Sequence, residues 1–106
     1  MTPLIQDILT DMVDRLVAEF HPLKVYLFGS HAWGEPSADS DIDLMIVMES
    51  FPESPICMTR RAYDVLSSRT VPVDILFDSI DYFTAMASHP STLEYLIERQ
   101  GVLLHE

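Results

Sequence analysis

The chain moves between two apolar rhythms. From Leu4 to Phe20 the apolar residues Ile5, Ile8, Leu9, Met12, Val13, Leu16, Val17 and Phe20 recur at intervals that line one side of a helix, with Thr2 placed to cap it and Pro3 in its first turn. His21-Pro22 breaks that rhythm, and Val25-Tyr26-Leu27-Phe28 follows as a short β-rich run that stops at Gly29-Ser30. Asp41 to Met48 is a second such run and Val71 to Phe77 a third, with a short helical connection over residues 31–36 between the first two. Ser54-Pro55 has the form of a cap followed by a first-turn proline, and Ile56, Ala62, Tyr63 and Leu66 fit a helix that ends near Ser68. Ser79 opens another helix through Met86, which His89-Pro90 interrupts. Ser91-Thr92-Leu93-Glu94 then has capping-box spacing for a last helix, which Gly101 ends. The predicted order is α-β-α-β-α-β-α-α: an α+β fold in which a small mixed sheet carries helices packed against it.

Composition narrows the reading further. A length of 106 residues with 48% hydrophobic side chains suits a single domain over 1–106 built around one core. Seventeen Asp and Glu against six Lys and Arg give a net charge of −11, which excludes a module that grips nucleic acid through a basic face. The lone Cys57 permits no internal disulfide. Residues 1–20 carry acids where a signal peptide needs positive charge, and no apolar run approaches the roughly 18 residues of a membrane span. The expected location is cytoplasmic, with no membrane contact.

Chemistry concentrates in residues 29–44, where small and polar residues interrupt two apolar strands. A strand that ends in Gly29-Ser30 and enters a helical turn offers backbone N–H groups, close approach and a hydroxyl, which together suit a phosphate. The same dipeptide is also an ordinary strand-ending turn. Asp41 and Asp43, two apart on a strand, share a face, while Ile42 and Leu44 point the other way into the core. Side-by-side carboxylates repel unless a cation lies between them, and hard divalent ions such as Mg²⁺ take such oxygen ligands. An acidic turn facing water is the plainer account of the same pair. Asp74 stands inside Val71-Pro72-Val73-Asp74-Ile75-Leu76-Phe77, where an acid is out of character. If the second and third strands are neighbours, Asp74 joins Asp41 and Asp43 in a cluster of the kind that holds two metals for phosphoryl or nucleotidyl transfer; as an edge-strand acid it would instead guard the sheet.

Gly29-Ser30, ten intervening residues and Asp41-Ile42-Asp43 resemble the G-S-x10-D-x-D signature of the DNA polymerase beta-like nucleotidyltransferase superfamily, and the short chain is similar to its minimal nucleotidyltransferase branch. The first helix, the Leu27-Phe28-Gly29-Ser30 junction, Ser40-Asp41-Ile42-Asp43-Leu44 and Val73-Asp74 follow the family order over nearly the entire chain. The resemblance implies that Ser30 and the Gly29 backbone hold the terminal phosphates of ATP or another nucleoside triphosphate. It implies that Asp41 and Asp43 hold two Mg²⁺ ions, and that Asp74 ligates the metal that activates the acceptor hydroxyl and helps draw off its proton.

Members of that branch are commonly paired with a helical HEPN-domain ribonuclease toxin, which some of them adenylylate on a tyrosine. The expected function is therefore transfer of an NMP, AMP from ATP, to a hydroxyl of a partner protein by the antitoxin of such a pair. An antibiotic adenylyltransferase and a non-catalytic binding antitoxin are the rivals, and homo- or hetero-oligomers are compatible with so small a domain. Trp33 departs from the pattern, standing where many relatives carry arginine, and either packs under the loop or stacks on a base. His31 reads as a surface histidine, and Arg60 and Arg61 as a solvated helix face.

Overall fold

Apolar spacing builds the first element. In the computed structural model, which describes residues 3–37, 40–68 and 70–106, helix α1 (Pro3–Phe20) buries Leu9, Met12, Val13, Leu16 and Phe20 along one stripe. Strand β1 (Lys24–Phe28), the one-turn helix α2 (Ser30–Trp33), strand β2 (Ile42–Met48) and helix α3 (Pro55–Val65) follow. The chain then forms strand β3 (Val73–Ser79), helices α4 (Ile80–Ala87) and α5 (Leu93–Gln100), and strand β4 (Val102–His105). The sheet order is β3-β2-β1-β4, with β1 antiparallel to both neighbours and β2 parallel to β3. A parallel pair needs a crossover, and α3 supplies it.

The sheet divides what the composition leads one to expect as a single core into two. On one face, Val25, Leu27, Ile42, Leu44, Ile46, Val73 and Ile75 pack under α1 and α3. On the other, Tyr26, Phe28, Met45 and Val47 pack against Phe83 and Ala87 of α4 and Ile97 of α5, with Tyr26 and Phe83 stacked 5.4 Å apart. β2 is covered on both faces, which is why its sequence is apolar almost throughout.

Several boundaries differ from the sequence reading. The strand at the C-terminal end adds a fourth to the three expected: Gly101 does close α5, donating to Ile97 O at 2.8 Å, but the chain then pairs with β1 instead of ending in a helix. β3 covers 73–79, not 71–77, because Pro72 has no N–H for the ladder and Ser79 serves at once as last strand residue and cap, accepting from Tyr82 N. α2 covers 30–33 where 31–36 is expected, and β2 starts at Ile42, leaving Asp41 just before it. α3 stops at Val65, and its cap is Ser54 as expected, accepting from Cys57 N. α5 is capped by Thr92 instead of Ser91; its hydroxyl accepts from Tyr95 N at 3.1 Å. Thr2 and Asp39 lie outside the described residues.

Candidate active site

β1 delivers Gly29 to the sheet's end in a conformation that L side chains rarely adopt, φ 76° and ψ −153°. Space imposes the same requirement: a Cβ built at Gly29 would collide with Oδ2 of Asp43. The chain then turns at once, with Ala32 N and Trp33 N both donating to Gly29 O at 2.9 and 3.0 Å, and the half-buried Ser30 opens that turn. Trp33 is half-buried against Phe28, ring centroids 6.3 Å apart, so it packs beneath the loop.

The loop returns through Ser37 N, which donates to Ser40 Oγ at 2.8 Å, and through His31, whose Nε2 lies 3.3 Å from Ser40 O. His31 is therefore no free surface histidine: it is half-buried and ties the phosphate-side turn to the residue before Asp41. Nothing in the sequence marks a bond to a backbone carbonyl nine residues away, although its position directly after Gly29-Ser30 is a signal.

β2 starts where Ile42 N donates to Pro72 O at 2.9 Å, and that bond sets the parallel register that pairs Asp43 with Asp74. Ile42 and Leu44 are fully buried on the α1 face, which turns the half-buried Asp43 to the opposite face. Asp41 and Asp74 are exposed. The structure thus brings together all five residues that the sequence singles out, Gly29, Ser30, Asp41, Asp43 and Asp74, at one end of the sheet.

Electrostatics couple the members of the cluster. The Asp43 carboxyl is pushed above its ordinary range, first by burial, then by repulsion from Asp74 and from Asp41, and by a hydrogen bond with Asp74; the nearby His31 acts in the opposite sense. Carboxyls that repel one another at one end of the sheet mark a place where positive charge is wanted. Among the described residues no three Asp, Glu, His or Cys side chains already converge as a ready-made metal cage. Asp41, just outside the strand, is near enough to repel Asp43 without joining the pair.

Other candidates fall elsewhere. Arg61 bridges α3 to α1, with Nη1 2.6 Å from Glu53 Oε1 and Nη2 3.1 Å from Glu19 Oε1, and lies over the Phe20 ring, whereas Arg60 is exposed as expected. Clefts of about 370 and 400 Å³ flank α1, and none of the five site residues lines either. Sequence reasoning missed Asp78, buried at the far end of β3 beside Glu94.

Comparisons with known proteins bear on the fold and the family. No curated protein sequence matches the chain. A Sulfolobus solfataricus crystal structure, provisionally assigned as a nucleotidyltransferase, superposes with a TM-score of 0.57 at 24% identity, over 92% of this chain and 76% of the other. A toxin–antitoxin structure with AMP-PNP superposes with a TM-score of 0.54 at 20% identity, over 90% of this chain and 71% of the other. Both likenesses concern the fold. The family described as polymerase beta, nucleotidyltransferase matches residues 11–106, a span that takes in the Gly29-Ser30 turn and all three carboxylates, and the chain belongs to that family.

Proposed function

We propose that this protein transfers a nucleoside monophosphate, AMP from ATP, onto a hydroxyl of a partner protein, with Mg²⁺ as cofactor, as the antitoxin of a toxin–antitoxin pair. The observation that carries the reading is the contact between Gly29, open in front of Asp43, and Asp43 in register with Asp74.

The donor chemistry of the site suits a hard divalent metal. Its donors are all carboxylate oxygens, with Asp43 repelled by both Asp41 and Asp74, and the missing Cβ of Gly29 leaves room before Asp43 Oδ2. Asp41, Asp43 and Asp74 would hold two Mg²⁺ ions. Bound there, such ions offset triphosphate charge and stabilise departing pyrophosphate.

The chain's own groups do the rest. The backbone N–H groups at Gly29-Ser30 and the Ser30 hydroxyl hold the terminal phosphates. As the acceptor oxygen bonds to the α-phosphorus and the bond to pyrophosphate breaks, the hydroxyl proton passes to the Asp74 carboxylate, which is exposed on an edge strand and open to a macromolecular acceptor. Trp33, packed on Phe28, keeps the turn in place and does not replace the arginine of relatives.

The likeness to a toxin–antitoxin structure with AMP-PNP supports a protein acceptor, for which a HEPN-domain toxin is the partner class. A charge of −11 favours a basic one. The test is growth rescue: the wild-type chain and an Asp41→Asn, Asp43→Asn variant are co-expressed at matched levels with the protein encoded next to it, whose intact mass is followed. Rescue by wild type alone, with a gain of one or more nucleotides, is expected. Full rescue by the variant with no change of mass would refute enzymatic action in favour of neutralisation by contact.

A further inference from the structure

The sheet's opposite edge offers a second surface. β4 ends the strand order, so among the described residues its outer backbone groups face no further strand. Natural edges are commonly guarded by charge, yet this one reads Val102-Leu103-Leu104, with Val102 and Leu103 42% and 40% exposed.

Beside it runs a cleft. α1 reaches from one edge of the sheet to the other: Phe20 packs edge-on to Phe77 of β3 at 5.2 Å, while Leu9 and Val13 line a cleft of about 400 Å³ together with Val102 and Leu104 of β4. Asp7 and Asp14 also line it, and no Lys or Arg does among the described residues.

We propose that β4 and this cleft receive an extended segment of a partner protein, added as a fifth strand, whose apolar side chains enter the cleft and whose flanking Lys or Arg residues meet Asp7 and Asp14. Main-chain bonds to an open edge give such an addition its affinity, and side chains in pockets give it specificity. Charge selects the occupant. A second copy would bring its own Asp7 and Asp14 and a charge of −11 to the same seam, whereas a basic strand is drawn in by that field. The inference rests on the proposed protein partner but not on nucleotide transfer, and Asp43→Asn separates the two, since it should dock the segment in full while transferring nothing.

The probe is the synthetic peptide acetyl-Lys-Thr-Val-Thr-Val-Thr-Lys-amide, which sets Lys, Val, Val and Lys on one strand face. Titrated into the ¹⁵N-labelled protein, it should shift the amides of Val102 to His105 and slow their hydrogen exchange. Replacing both lysines with Glu should weaken binding at least tenfold. So should the Asp7→Lys, Asp14→Lys variant, which should then prefer the Glu peptide. Reversing two exposed acids elsewhere, Asp64 and Glu98, should leave the affinity within twofold, with circular dichroism confirming that both variants fold. No binding, shifts scattered over the acidic surface, or equal losses in the two variants would overturn the proposal. So would protection of the same amides by a concentration-dependent dimer in the absence of peptide, which would assign the edge to a second copy.

Discussion

Asp78 should make this protein less stable as the pH rises through neutrality, and Asp78→Asn should abolish that loss. The residue is 9% exposed, its Oδ2 is buried and bonded to nothing among the described residues, and its neighbour is another acid, Glu94, in the first turn of α5. Burial first, then a hydrogen bond with Glu94 and repulsion by it, push the carboxyl from 3.8 to about 7. The folded protein therefore holds a proton that the unfolded chain has released. Stability from this group is complete below about pH 4 and is lost as the pH climbs through 7, the reverse of a carboxylate in an ion pair.

At about 1.4 kcal/mol per pH unit the full effect is about 4 kcal/mol, of which about 3 kcal/mol lies between pH 5 and pH 8.5. Asn mimics the neutral acid and can donate its amide to Glu94. Urea unfolding of both proteins at pH 5 and 8.5 is the assay, and the difference between them cancels the groups remote from Asp78, Asp43 included, leaving Asp78 and its neighbour Glu94. Near-equal stability is expected at pH 5, and at pH 8.5 the variant should lead by about 2 to 3 kcal/mol, several degrees in Tm. Parallel pH profiles, or a variant weakened alike at both values, would refute the buried, protonated Asp78.

Four further outcomes test the site. Gly29→Ala meets both a positive φ and the Asp43 carboxylate, so it should destabilise the protein by about 1 to 3 kcal/mol and blunt the rise in Tm produced by Mg²⁺ with ATP; an unaltered thermal shift would contradict it. Asp43→Asn relieves burial and repulsion together, so the protein without ligand should melt higher yet lose most of its response to Mg²⁺ with ATP, and a wild-type response would exclude the metal site. Asp74→Asn should keep nucleotide affinity, measured by calorimetry, while transfer falls on the order of a hundredfold; equal losses would reduce Asp74 to a ground-state ligand. Trp33→Ala should lower stability by about 2 kcal/mol, since the ring is half-buried on Phe28, without changing ATP affinity; the opposite pattern in denaturation and calorimetry would make it a base-stacking residue.

Local chemistry was legible in the sequence and pairing was not. The period-two rule puts Ile42 and Leu44 on one face and Asp43 on the other whatever strand lies alongside, and Ser54-Pro55 announces α3 by itself. Whether Asp74 meets Asp43 depends on a parallel register set by Ile42 N and Pro72 O, thirty residues apart in sequence, and on α3 returning the chain beside β2. β4 shows the same limit more sharply. Its four residues have no alternation of their own, and they form a strand because β1, already paired with β2 on its other side, offers an open ladder. A boundary error also hid chemistry: ending β3 at Phe77 leaves Asp78 in a turn, where an acid is unremarkable. Extending the strand by two residues puts Asp74 and Asp78 on one face, four apart, the first in the open beside Asp43 and the second shut beneath α5. The same residue type on the same strand face then separates by surroundings alone into an exposed acid beside Asp43 and a buried one whose carboxyl is pushed up to about 7.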